Sequence, residues 1–256
     1  MNEVTERFTG RSADYQQYRE RYDTGLLLPR FRAWCGLTPQ WTIADIGAGT
    51  GMLADVFLAN GNRVLAVEPN AEMRAACAML HGGDQRLQVV AGTAEASTLR
   101  EQSIDLISMG RSFHWFDVDR AMEEFRRILS PNGWIVSVTL SRDQAGSEAN
   151  VAVHEMLSSL SEGPTVHQMA LAKYARLQQF LVRDYHCEEI TCSMKLTEAE
   201  LIGLLRSFSH TPLPPDPRFS DMQRGAREIF AHHALGGRIT LQTRYRINAG
   251  RLACKT

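Results

Sequence analysis

Thr42-Ile43-Ala44-Asp45-Ile46-Gly47-Ala48-Gly49-Thr50-Gly51 is the stretch from which the rest of the chain can be read. A short apolar run has the length of a buried strand, and Met52–Ala59 after it has the spacing of a helix turned toward a core. Between them glycines recur at alternate positions. Glycine reaches positive φ without strain and carries no Cβ to hold a ligand away from the main chain. Strand, glycine turn and helix start therefore bring free N–H donors to one place, the arrangement of a nucleotide-type site. The next apolar run, Arg63–Val67, ends at Glu68-Pro69. In a parallel α/β sheet that end lies beside the glycine turn, where the Glu68 carboxylate has acceptors for two vicinal ribose hydroxyls.

The spacing argues against a dinucleotide, because G-x-G-x-x-G would need glycine where Met52 stands. No G-K-S/T ending of a phosphate-cradling loop follows either. The pattern, with Glu68 after it, resembles motif I and the acidic motif of class I S-adenosylmethionine-dependent methyltransferases. Leu87–Glu95 resembles that family's third strand and adenine-contacting turn, and Ser103–Ser108 its fourth strand. Met109-Gly110-Arg111-Ser112-Phe113-His114-Trp115-Phe116-Asp117 is similar to the A-Q-A-F-H-W-F-D signature of the type-11 group of small-molecule methyltransferases. Ile128–Val136 matches a helix end, turn and fifth strand.

The resemblance implies a Rossmann-like α/β fold: a seven-stranded, mostly parallel sheet with one antiparallel strand, helices on both faces and a helical lid. It implies S-adenosyl-L-methionine as cofactor and a small-molecule acceptor methylated at O, N or C. The implied cofactor residues are Tyr18, Arg19, Asp45, Gly47, Ala48, Gly49, Gly51, Glu68, Pro69, Met73, Thr93, Ala94, Glu95, Gly110 and Arg111. Tyr18 and Arg19 match a Tyr-Arg pair whose guanidinium would hold the cofactor carboxylate. Two positions depart from the family pattern. Thr93 stands where many relatives carry Asp, which leaves adenine contacts to the backbone near Ala94. Arg111 replaces the usual Gln, and its charge serves either an acidic substrate or a nearby carboxylate. His114 is the candidate general base, against a second reading in which the Phe113–Phe116 aromatics pack a helix and His114 bonds locally. A non-catalytic cofactor binder and an RNA or protein methyltransferase are the alternative functions, the former because fold and cofactor motifs do not establish turnover.

The chain has 256 residues, 44% of them hydrophobic and 22% charged, with a net charge of -1. That suits one globular unit and gives no broad attraction for nucleic acid or anionic membrane. Ser108-Met109-Gly110-Arg111 replaces the N/D-P-P-Y/F motif of base-modifying enzymes, so nucleic acid is not the expected partner. The first residues lack a leader pattern and no stretch is long enough to span a bilayer, so a cytoplasmic location is expected. Cys35, Cys77, Cys187, Cys192 and Cys254 form no C-x-x-C pair, and adjacent His232 and His233 point apart, so neither disulfides nor a metal is expected. Oligomeric state is not readable.

Four segments are expected: a helical cap over residues 1–40, a cofactor-binding core over 41–140, a helical lid over 141–184 and the end of the sheet with its helices over 185–256. Tyr15–Tyr22 reads as an amphipathic helix and Thr24 opens another. In the lid segment, Val151, His154, Met156, Leu157 and Leu160 follow a helical period, as do Met169 to Leu181. Tyr185–Ser193 reads as strand six, Thr197–Glu200 as a capping box, Thr211–Pro217 as a proline loop and Ile239–Ile247 as an antiparallel seventh strand.

Overall fold

The computed structural model describes residues 9–142, 146–160 and 166–253, without side chains for 166–172. Cys254 and the Met1–Arg7 segment lie outside the described residues, as do the Met169, Leu171 and Ala172 side chains. The strands are β1 (Thr42–Ile46), β2 (Arg63–Glu68), β3 (Leu87–Ala91), β4 (Ile104–Gly110), β5 (Leu129–Arg142), β6 (Leu181–Leu196) and β7 (Ile239–Leu252). They form a seven-stranded sheet in the order β3-β2-β1-β4-β5-β7-β6. β1 pairs in parallel with β2 and β4, β2 with β3, and β4 with β5, while β7 runs antiparallel to both β5 and β6. The order reverses between β1 and β4, which opens a crevice at their carboxyl ends.

The helices are α1 (Ser12–Tyr18), α2 (Thr24–Cys35), α3 (Ala54–Ala59), α4 (Ala71–His81), α5 (Val118–Ile128), α6 (Glu148–Ser159), α7 (Val166–Phe180), α8 (Glu198–Arg206) and α9 (Arg218–His233). Their starts follow local chemistry. Asp23, Asn70 and Asp117 accept the N–H groups of Leu26, Met73 and Arg120, and Thr197 with Glu200 forms the reciprocal capping box its sequence suggests. α3 begins later than the apolar spacing suggests, because Ala48 to Gly51 form a turn closed by Gly51 N–H donating to Ala48 O at 2.9 Å, and turn conformation continues to Leu53.

α2 and α3 cover one face of the sheet through Leu27, Phe31 and Phe57 against Ile43, Val64, Leu106 and Val136. α5 covers the other through Ala121, Met122, Phe125 and Ile128, which fall on one helical face and bury completely against Ala44, Ile107 and Ile135. Gly110 pairs with Val138, and β5 continues to Arg142 opposite Thr243. The β5, β7 and β6 strands thus rise beyond the carboxyl edge and carry a third core, in which α6, α8 and α9 pack on Leu196, Ile239 and Leu241.

The region expected to form one helical lid is divided. α6 joins α8 and α9, with Asn150 Nδ2 donating to Gln242 O at 2.7 Å. α7 lies on the α5 face, where Leu177 is buried and Lys173 Nζ donates to Phe116 O at 2.7 Å. The reason lies in β7: its odd-numbered residues Ile239 to Ala249 face one side, so α6 finds apolar surface there while α7 finds it around Phe113.

Candidate functional site

The glycine loop is fixed from three strands. Gly47 and Ala48 N–H both donate to Val67 O, at 2.8 and 3.1 Å, tying the loop to the end of β2. Ser112 Oγ, past the end of β4, donates to Ile46 O at 2.7 Å. Gly47 has φ +69, and a Cβ there would sit 2.6 Å from Ser112 Cβ, so both conformation and space exclude a side chain. From the loop, Gly49 N–H donates to Glu68 Oε2 at 2.9 Å, while Asn70 N–H donates to Oε1 at 2.8 Å. Burial raises the Glu68 pKa against those two N–H groups and Arg74. Each carboxylate oxygen keeps acceptor capacity beyond its single N–H partner, and the side chain lines the crevice.

That crevice measures about 880 Å³ with its open mouth. Of the sequence-predicted cofactor residues, Gly47, Gly49, Glu68, Pro69, Met73, Thr93, Ala94, Glu95, Gly110 and Arg111 line it. Tyr15, Ser112, Trp115 and Phe116 line it as well. The Trp115 and Phe116 aromatics were legible in the motif; Tyr15 had no signal beyond helical spacing. The Thr93 hydroxyl accepts Ala96 N–H at 3.1 Å, and Glu95 Oε1 accepts Asp117 N–H at 2.8 Å, so both side chains shape the walls.

The remaining predicted residues sit elsewhere. Asp45 is buried below the loop, its Oδ1 accepting Ser108 Oγ at 2.9 Å, and burial lifts its pKa to about 7. Ala48 closes the Gly51 turn through its carbonyl. Gly51 packs on α4, where a Cβ would lie 2.7 Å from His81 Cε1. His81 in turn meets Asp55 Oδ1 at 2.7 Å, and that bond, ahead of the Cys77 contact, raises its pKa to about 10. Tyr18 packs its ring on Gly203 of α8, away from the crevice.

Arg111 belongs to a buried ionic cluster. Its guanidinium donates to Glu20 Oε2 at 3.2 Å and to Glu20 O at 3.0 Å, and lies over the Tyr22 ring at 4.9 Å. Arg142 donates to Glu20 Oε1 at 3.0 Å, and Arg19 Nε lies 3.9 Å from Glu20 Oε2. Burial would raise the Glu20 pKa, but Arg142, Arg19 and Arg111 together hold it at about 2. Arg111 thus pairs with a nearby carboxylate, as the second of its sequence readings has it, while still lining the crevice. Glu20 carried no motif, and its position is set by contacts distant in sequence.

His114 does not line the crevice among the described residues. Its ring tilts against Trp115 at 4.6 Å between centroids, and burial, then Lys173 and Arg19, lowers its pKa to about 3. The imidazole is therefore neutral at physiological pH and a weak proton acceptor. No described helix is long and apolar enough to cross a membrane.

The family profile described as Methyltransferase domain matches residues 44–137. An uncharacterised methyltransferase of Schizosaccharomyces pombe is 30% identical over 138 residues, covering 52% of each chain. A malonyl-[acyl-carrier protein] O-methyltransferase of Erwinia billingiae is 32% identical over 102 residues, covering 40% of this chain and 39% of its own. The chain spans about half the length, or less, of the curated relatives it matches. A solved structure from Anaeromyxobacter dehalogenans, described as a candidate type II methyltransferase, superposes with a TM-score of 0.62 at 20% identity, covering 91% of this chain and 98% of that one. That likeness shows the shared fold. Glycine loop, Glu68 and the Arg111 turn all fall inside the segment, residues 44–137, that matches the Methyltransferase domain profile.

Proposed function

We propose that the protein transfers a methyl group from S-adenosylmethionine to a small-molecule acceptor. The observation that carries this reading is Glu68, held at the end of β2 by Gly49 and Asn70 N–H groups and facing a crevice floored by the glycine loop. The residues present fit the cofactor. Glu68 offers acceptors for two ribose hydroxyls, Gly47 and Gly49 admit a close approach, and Pro69, Met73, Ala94 and Phe116 give apolar walls for an adenine. Backbone groups around Ala94 would meet the adenine amino group, and Arg19 is the proposed partner of the cofactor carboxylate. When bound, the cofactor supplies a methyl carbon made electrophilic by its sulfonium sulfur.

The chain's own contribution is position and exclusion of water. Tyr15 from α1 and Trp115 both line the crevice with Gly110, so an acceptor entering beside Gly110 would meet aromatic walls. Positioning of this kind can supply up to about 7–11 kcal/mol of barrier lowering. His114, beside Trp115 of the crevice lining and kept neutral by burial, is the proposed proton acceptor for a hydroxyl nucleophile, though a weakly basic one; a carboxylate nucleophile would need none. The Erwinia relative is named for O-methyl transfer, which supports oxygen as the accepting atom. Purified protein incubated with radiolabelled methyl donor and a fractionated metabolite extract tests the reading: label should move to a small product. Cofactor binding without label transfer in any fraction would favour a non-catalytic binder, and label in RNA or protein would redirect the acceptor class.

A further inference from the structure

The cluster around Glu20 is out of electrostatic balance. Arg111, Arg142 and Arg19 surround a single carboxylate, with side chains 6%, 23% and 19% exposed against 8% for Glu20. Removing charge from water is costly unless each group is paired. Here one negative charge meets three positive ones, and the next acidic side chain along α1, Asp14, is committed to Arg206 at 2.9 Å. Donors are in excess too. Among the described residues Arg142 finds one acceptor, Glu20, and the buried Nε groups of Arg142 and Arg19 find none. Both guanidinium groups lie over the Phe208 ring, at 4.3 and 4.6 Å, which holds these long side chains in place.

The cluster adjoins the crevice. Arg111 lines it, and Tyr15, which also lines it, lies under Arg111 and Arg19 at 5.9 and 5.4 Å. The cofactor would not restore the balance, since its carboxylate is outweighed by its own amino and sulfonium charges. Even with Arg19 assigned to that carboxylate, Arg111 and Arg142 exceed Glu20 by one charge. The planar guanidinium fork matches a carboxylate, and the cluster already seats one in Glu20.

We infer that the Arg142 and Arg111 guanidinium groups anchor a carboxylate on the methyl acceptor, so that the acceptor is a small organic acid. This rests on the methyl-transfer reading above. The test is calorimetry on the protein saturated with S-adenosylhomocysteine, titrated with succinate, citrate and benzoate, with the matching amides and with glycerol 3-phosphate. At least one acid should bind tenfold or more tightly than its amide and than the phosphate ester. Arg142→Gln should weaken that acid at least tenfold with S-adenosylhomocysteine affinity unchanged, and Arg142→Lys should restore part of the loss. Glu20→Gln, which removes the internal counter-charge, should tighten acid binding and keeps the test decisive if Arg142→Gln fails to fold. Amides or phosphate binding as well as the acids, no acid binding at all, or acid affinity indifferent to both Arg142→Gln and Glu20→Gln overturns the inference. Failure of the wild-type protein to bind S-adenosylhomocysteine would instead overturn the reading beneath it.

Discussion

Two residues at the crevice carry testable consequences of their surroundings. Glu68 accepts two main-chain N–H groups, so its replacement removes the crevice's acceptors and frees the Gly49 and Asn70 donors without touching the sheet. Glu68→Ala should weaken S-adenosylmethionine by about tenfold to a hundredfold, or about 1.4–2.7 kcal/mol, with an unchanged circular dichroism spectrum. Unaltered affinity by calorimetry would remove Glu68 from the site. His114, with its pKa lowered to about 3 by burial and its cationic neighbours, is neutral on both sides of the usual histidine range. Turnover should therefore show no step attributable to His114 between about pH 5 and 8. A rise across the ordinary imidazole pKa that vanishes in His114→Ala would contradict this. The Arg111 charge was visible in the sequence, but its Glu20 partner was not, because the two are 91 positions apart and neither belongs to a shared motif.

At the scale of elements, the glycine loop is the most constrained piece of backbone. Gly47→Ala forces a side chain onto a positive φ and to within 2.6 Å of Ser112 Cβ. We expect a loss of about 1–3 kcal/mol in urea unfolding together with weaker cofactor binding; an unchanged midpoint would mean that the β4 end yields easily. β1, the loop and β2 were legible because their signals are local: an apolar run, a glycine and an acidic residue at a strand end. The sequence predicts β6 over Tyr185–Ser193, yet the strand spans Leu181–Leu196. It is an edge strand with register shifts between Leu181 and His186, so its early residues lack the alternation by which strands are read. The division of the helical region between β5 and β6 was illegible for a different reason. Both helices are apolar on one side, and only the completed sheet determines which face each one finds.

Across the whole molecule, α1 is joined to α8 and the loop after it, 195 to 200 positions away in sequence. Arg11 Nη1 donates to Arg206 O at 2.8 Å and its Nη2 to Thr211 O at 2.5 Å, and Tyr18 packs on Gly203. Arg11→Met should release α1 while the sheet persists, giving faster limited proteolysis within residues 9–22 and little change in the far-ultraviolet spectrum. An unchanged cleavage rate would mean that other contacts suffice. Because Tyr15 rides on α1, this long-range seam also sets the timing of the site during biosynthesis. α1 is made before β1 through β5, and its docking surface on α8 after them, so a nascent chain that has paired those strands still holds Tyr15 on an undocked helix. The crevice wall that Tyr15 supplies is therefore complete only once α8 has been made and α1 has docked on it.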